Sequence, residues 1–382
     1  MKTIENIITE WNKELGTPSR EGLGLFRILF GLFVLFILSP GHSHKYNYSF
    51  LGEVPDGIYT PPIGLFQLLD GFLSPEFFFV LHILITFAAV GILIGYRTRF
   101  NSRLFTILLL IGNGFFYSLG KVDHDMLFVI LPLIMSYTNW GTRFSIDERL
   151  NRTTKEIDMF PILILGIFVG FMMMTAGLPK ILGGWLDPTT SAVKGRVLAS
   201  FFEKGRADLL ASYMLQIDSI LFWELFDYST IIFEIGLFLA IRKVNVFRAF
   251  IVIGVLFHYG VLLMMNISFA VHIIVYAAFI DWGWVYNKFV NGKIYFKKAF
   301  DLFYARSPWL ILRYMIVIGI LIGVVGSPLL AINKAYYLDS GITVLDIVFM
   351  TASSLLAIVG FSYYLLDKFY EYLLMRFFES IR

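Results

Sequence analysis

Apolar runs of roughly twenty residues recur along the chain, divided by short polar clusters. Crossing a hydrocarbon core takes about 20 helical residues. Runs of that kind lie near 22–40, 76–95, 103–119, 125–140, 158–178, 219–241, 247–265, 268–286, 311–332 and 344–366. Each predicts a helix, because isolated strands would leave backbone groups unpaired in lipid and no run of short alternating segments suggests a barrel. The run at 125–140 is short, contains Pro132 and follows Lys121, Asp123, His124 and Asp125. A dip into the bilayer suits it as well as a clean crossing. Before the first run, Ile4, Ile7, Ile8, Trp11 and Leu15 fall at helical spacing, predicting a short helix on the membrane surface.

Two connections are long. Residues 41–75 carry His42, His44, Pro55, Pro61, Pro62 and Pro75 with no helical period, predicting an ordered cap or loop. Residues 179–218 open with Pro179, Gly183, Gly184 and Pro188 and turn amphipathic from about 192 to 217, predicting an interfacial helix. The resulting division is an amphipathic segment at 1–21, a transmembrane domain at 22–286 and a C-terminal transmembrane pair with a tail at 287–382. No internal repeat or low-complexity linker interrupts it.

Composition places this pattern in a bilayer. Hydrophobic residues are 58% of the 382 and charged residues 15%, with a mean hydropathy of +0.74; a water-soluble fold has no place for so much apolar surface. The polar first 20 residues predict no cleavable signal peptide. Of 31 Lys and Arg, 22 fall on one alternating set of loops and 8 on the other, with Arg27 inside the first span. The positive-inside rule then predicts an all-α, polytopic membrane helix bundle of about ten transmembrane helices with both termini cytoplasmic. A multi-pass protein of a bacterial inner or plasma membrane fits. The net charge of +3 offers nothing to nucleic acid, and zero cysteines exclude disulfides, thiolate metal sites and thiol redox pairs.

Ionisable groups within spans are costly and therefore candidates for function. Lys180 closes the fifth run on the outer side, in Thr175-Ala176-Gly177-Leu178-Pro179-Lys180. Desolvation there would make it a usable base near neutral pH, or it snorkels to the headgroups. His124 stands between Asp123 and Asp125, where a carboxylate can fix its tautomer, or it is a histidine in a polar turn. His258 lies mid-span, as a ligand-binding group or as a helix–helix hydrogen-bonding residue. Glu224 and Asp227, three apart, share a helical face and neutralise Lys180, line a polar cavity or make a structural pairing; Glu234 follows on the same span. His42 and His44 lack matched ligands, so no metal site is expected. No Gly-x-Ser-x-Gly nucleophile motif is present.

Leu25-Phe26-Arg27 with Phe30-Gly31, Gly95-Tyr96-Arg97, His124, Ser145-Ile146-Asp147, Ala176-Gly177-Leu178-Pro179-Lys180 with Trp185, and Phe257-His258 with Asn266 to Phe269 follow one another over roughly residues 20–285. In that order they resemble the transmembrane domain of the vitamin K-dependent γ-glutamyl carboxylase family. The wider group, with bacterial members, is often called the horizontally transferred transmembrane domain family. The resemblance implies that Lys180 is the base that deprotonates a reduced quinone (vitamin K or menaquinone hydroquinone). It implies that His124 supports the carbanion or oxyanion chemistry. In the family the oxygenated hydroquinone removes a γ-proton from a glutamate side chain and CO2 adds to the carbanion, so O2 and CO2 are co-substrates. His258, Trp185, Glu224 and Asp227 are the expected cofactor-binding residues.

Two departures bear on substrate. Two further apolar runs stand where the carboxylases have a large lumenal domain, and Pro179 replaces a second lysine. Some short bacterial relatives resemble a membrane component that matures a secreted peptide toxin. The expected function is thus a carboxylase-like membrane enzyme acting on an extracytoplasmic peptide or small substrate. The alternative is a non-enzymatic accessory for maturation or export of a secreted peptide. A proton- or ion-coupled transporter using Glu224, Asp227, Glu234 and His258 ranks third, because no paired interrupted helices or repeat halves are visible.

Overall fold

The computed structural model describes residues 2–14, 19–38, 48–120, 125–154, 156–290 and 342–381. Every regular element among the described residues is helical. They are α1 (Lys2–Glu14), α2 (Arg20–Leu32), α3 (Pro75–Ile94), α4 (Thr98–Tyr117), α5 (Met126–Met135), α6 (Ile146–Arg149), α7 (Phe160–Leu182), α8 (Ala192–Lys204), α9 (Ala211–Met214), α10 (Ile220–Ala240), α11 (Val244–Met265), α12 (Ala270–Tyr276), α13 (Trp282–Val285) and α14 (Val344–Ile381). Among the described residues five stretches are long and apolar enough to cross a membrane: Arg20–Leu38, Pro75–Ile94, Phe160–Leu182, Val244–Met265 and Val344–Leu365. Helices α4 and α10 are as long but carry charged side chains. The expected run at 311–332 lies outside the described residues, as do His42, His44 and His124.

The chain divides into two compact units, Met1–Phe168 with Ala277–Tyr336, and Val169–Tyr276 with Tyr337–Arg382. In the first unit, helix starts follow from the sequence. Ser74 accepts from the Phe77 amide at 3.4 Å with Pro75 at the first helical position, and Gly95, at φ 68°, ends the same helix. The first span changes character: α2 passes into a π-helical turn over Phe33–Leu38. Helix α5 is ten residues, about 15 Å, too short to cross a bilayer. Trp11 of α1 is fully buried, edge-on to Phe279.

Three segments of this unit are tied together by polar groups. The Arg27 guanidinium donates to the carbonyls of Ile92 (2.6 Å), Leu93 (2.5 Å) and Phe144 (2.5 Å), which satisfies the end of α3, where carbonyls have no helical partner. The Asp147 carboxylate accepts from the amides of Arg97 (2.8 Å) and Thr98 (2.6 Å), capping α4 from a distant part of the chain. Between them, a side chain at Gly95 would collide with Ser145 and the Arg27 guanidinium. Leu25–Arg27, Gly95–Arg97 and Ser145–Asp147 are therefore one structural knot.

In the second unit α10 and α11 pack against each other, and α14 packs against α11 and α12. Thr343 and Asp346 form a reciprocal capping box at the start of α14. The amphipathic stretch expected from about 192 to 217 folds as two helices, α8 and the short α9. Where the spacing predicts a span over 268–286, the chain is broken into α12, a short 3-10 turn over Ala277–Phe279 and α13. Asp281 accepts from the Trp284 amide at 2.9 Å and so starts the new helix. Pro179 was expected to open a loop. Instead α7 runs through it to Leu182, forgoing the one backbone hydrogen bond that a proline cannot donate.

Candidate functional site

Lys180 sits in the last turn of α7, and the local sequence explains its surroundings. At Gly177, three residues earlier on the same face, an added Cβ would lie 3.1 Å from the Cβ of Glu234 and 3.0 Å from the Ile235 side chain. The glycine thus brings α10 close to α7 at this level. The Lys180 ammonium reaches across and donates to both carboxylate oxygens of Glu234, at 2.5 and 2.6 Å. Its third contact is the Ala176 carbonyl at 3.2 Å. An ammonium has three N–H donors, so this set is complete. The lysine side chain is 24% exposed and the glutamate 6%.

The helix end builds the next wall. The Trp185 amide donates to the Lys180 carbonyl (3.1 Å) and the Gly184 amide to the Ile181 carbonyl (3.3 Å), with Gly184 at φ 80°. That is a Schellman ending, which requires a left-handed residue and folds the chain back on the last turn. It brings the Trp185 ring to 5.4 Å from Lys180 Nζ, within cation–π range. Trp185 is 9% exposed and belongs to a cluster with Val193, Val197, Met214, Trp223 and Met264. Beyond it, the Thr189 amide and hydroxyl donate to Asp187 (2.9 and 2.7 Å) and hold its carboxyl below the usual carboxylate range.

Of the alternatives for Glu224 and Asp227, a structural pairing is the one Asp227 takes. Asp227 is fully buried and accepts from the amides of Ala192 (2.9 Å) and Val193 (2.7 Å). It caps the N-terminus of α8 from another helix, placing an anion where the unpaired amides and the helix dipole favour one. Glu224 is 6% exposed, and neither carboxylate oxygen is hydrogen-bonded among the described residues. The salt-bridge partner of Lys180 is Glu234, one of the three acids the sequence put on this span. The partner was hidden because neither helical period nor spacing gives the stagger of α7 against α10.

His258 of α11 is 3% exposed, with Nε2 3.0 Å from the Tyr276 hydroxyl on α12. Its ring stacks on Phe269 at 4.5 Å and lies 5.2 Å from His272. This is a hydrogen bond between two helices inside an aromatic box. Tyr276 was not foreseen as a partner, since a tyrosine in an apolar run carries no distinguishing spacing. Lys180, Trp185, Glu234, His258 and Tyr276 all belong to the second unit. His124 lies outside the described residues. Chemically, the Lys180–Glu234 pair can hold a proton on nitrogen or carboxylate oxygen, and the His258–Tyr276 pair can hold one on imidazole or phenol.

Long apolar helices with buried charged groups define a membrane protein of the all-helical class. A sequence profile of the HTTM domain matches residues 18–284, and the chain belongs to that family, the vitamin K-dependent carboxylase-like group of membrane proteins. No curated protein and no solved structure matches the chain.

Proposed function

We propose that this protein is a carboxylase-like membrane enzyme that uses a reduced quinone to modify an extracytoplasmic peptide or small substrate. The observation that carries the reading is the Lys180 ammonium, screened by Trp185 and paired with the buried Glu234 in a chain of the HTTM family. A reduced quinone would supply the electrons for reaction with O2, with CO2 as the carbon donor. The residues fit such a group: a basic nitrogen meets an acidic hydroxyl, and a tryptophan face meets a flat apolar ring.

For Lys180 to act as a base its nitrogen must first lose a proton. Glu234 is placed to take it, since both carboxylate oxygens already accept from Nζ. Nζ is then left with a lone pair able to accept a proton from a bound hydroxyl, so the pair works as a dyad. His124 is assigned a supporting role. We further propose about ten spans with both termini cytoplasmic, on the strength of the loop charges.

The test is carbon fixation by the protein reconstituted in liposomes with menaquinol or vitamin K hydroquinone, O2, labelled bicarbonate and a glutamate-rich peptide. Lys180→Ala is expected to abolish labelling while eluting as the same folded species. Retained labelling removes Lys180 from the mechanism. The accessory reading draws support from the saturated donor set of Lys180, which also suits a purely structural pair. It gains if native protein fixes no label and a Lys180→Ala, His124→Ala double variant still supports peptide maturation in cells.

A further inference from the structure

Residues 57–69, Gly-Ile-Tyr-Thr-Pro-Pro-Ile-Gly-Leu-Phe-Gln-Leu-Leu, contain no charged side chain and lie between Asp56 and Asp70. A connection outside the spans has little reason to be so apolar, and this one leaves its large side chains uncovered. Ile63 is 97% exposed, Leu65 81%, Leu68 79% and Ile58 55%.

The segment is nonetheless held in one conformation. The Thr60 amide donates to the Ser118 carbonyl at 2.8 Å, and the Tyr59 hydroxyl to the Phe66 carbonyl at 2.8 Å. Asp56 accepts from the Phe72 amide at 3.0 Å, closing the base of the loop. The Phe66 ring packs edge-on to Phe115 at 5.0 Å and occupies the space that Gly114 leaves on α4. Exposure of Ile63, Leu65 and Leu68 is therefore built into a folded loop.

Position decides what covers them. Ser118 is the residue that ends α4, and Pro75 begins α3, so the loop lies at the level where both helices leave the hydrocarbon. From there the uncovered apolar surface continues onto α3 through Phe77, Phe79 and Val80, which are 37%, 59% and 52% exposed on a candidate span. Water would meet an apolar patch with no recognition chemistry for a polar partner. The headgroup–acyl boundary, which takes apolar side chains and tolerates the backbone polar groups of a loop, matches both ends of the surface.

We infer that residues 57–69 are an interfacial anchor that seats Ile63, Leu65 and Leu68 in the bilayer beside α3 and α4. The chain has no cysteine, so Ile63→Cys, Leu68→Cys and the exposed control Glu53→Cys each carry one reporter. Each is labelled with an environment-sensitive NBD dye and reconstituted in phosphatidylcholine/phosphatidylglycerol vesicles. Positions 63 and 68 are expected to emit at shorter wavelength than position 53. They should be quenched several-fold more by lipids spin-labelled near the headgroup than by aqueous iodide, and position 53 the reverse. Iodide quenching at 63 and 68 equal to that at 53 overturns the anchor. A blue shift that vanishes on diluting the protein in lipid also overturns it, because a second copy would then be the cover.

Discussion

Removing either partner of the Lys180–Glu234 pair is expected to cost unequally, and the burial of the two groups fixes the order. Lys180→Met strands a carboxylate that is 6% exposed; losing one partner of a buried pair costs about 3–5 kcal/mol. The stranded group can escape by taking a proton. At pH 7 that costs about 1.36 kcal/mol for each of roughly 2.7 pH units above an ordinary glutamate value, a ceiling of about 3.7 kcal/mol. Glu234→Leu strands an ammonium that is 24% exposed on a long stem able to swing toward the headgroups. Its cost falls between the exposed and buried ranges, about 1–2 kcal/mol. The double variant leaves an apolar pair and loses a donor to the Ala176 carbonyl, about 2 kcal/mol, so the coupling is roughly 3 kcal/mol. Equilibrium unfolding in mixed detergent–SDS micelles, followed by tryptophan fluorescence, measures all four forms. A larger loss for Glu234→Leu than for Lys180→Met, or a double variant equal to the sum of the singles, refutes a tight pair.

Two further outcomes concern the elements around that pair. Asp227→Ala removes the acceptor for the Ala192 and Val193 amides and is expected to cost about 1–2 kcal/mol. The loss should be local: faster hydrogen exchange over 192–197 with α11 unchanged, whereas uniform exchange would contradict a capping role. Gly184→Ala meets no atom within 4 Å at its new Cβ but keeps a φ of 80°, so a purely conformational cost of about 1–2 kcal/mol is expected. Unfolding measured as above tests it, and a cost near zero would mean that the Schellman ending does not hold Trp185 over Lys180.

Helix ends set by local signals lie close to the apolar runs: Ser74-Pro75 with Gly95 bound α3 and Thr343 with Asp346 starts α14, whereas the end of α7 was misplaced at Pro179, because a proline in the last turn costs only one hydrogen bond. What stayed hidden is stagger between helices. Asp227 and Glu234 are seven apart, two turns on one face, about 10.5 Å along α10. Periodicity puts both on the right face. Which of them meets Lys180 depends on where α10 crosses α7, and the close approach at Gly177 puts Glu234 level with the lysine. Asp227 is left for the returning start of α8. The motifs that carried the resemblance divide along the same line. Leu25–Arg27, Gly95–Arg97 and Ser145–Asp147 interlock in a knot of backbone carbonyls and amides, so their presence speaks for the fold of the first unit. A chain that had abandoned the chemistry would still need them to fold. The case for chemistry therefore rests on the run ending in Lys180, on Trp185 folded back by Gly184, and on a carboxylate from α10 that no motif named.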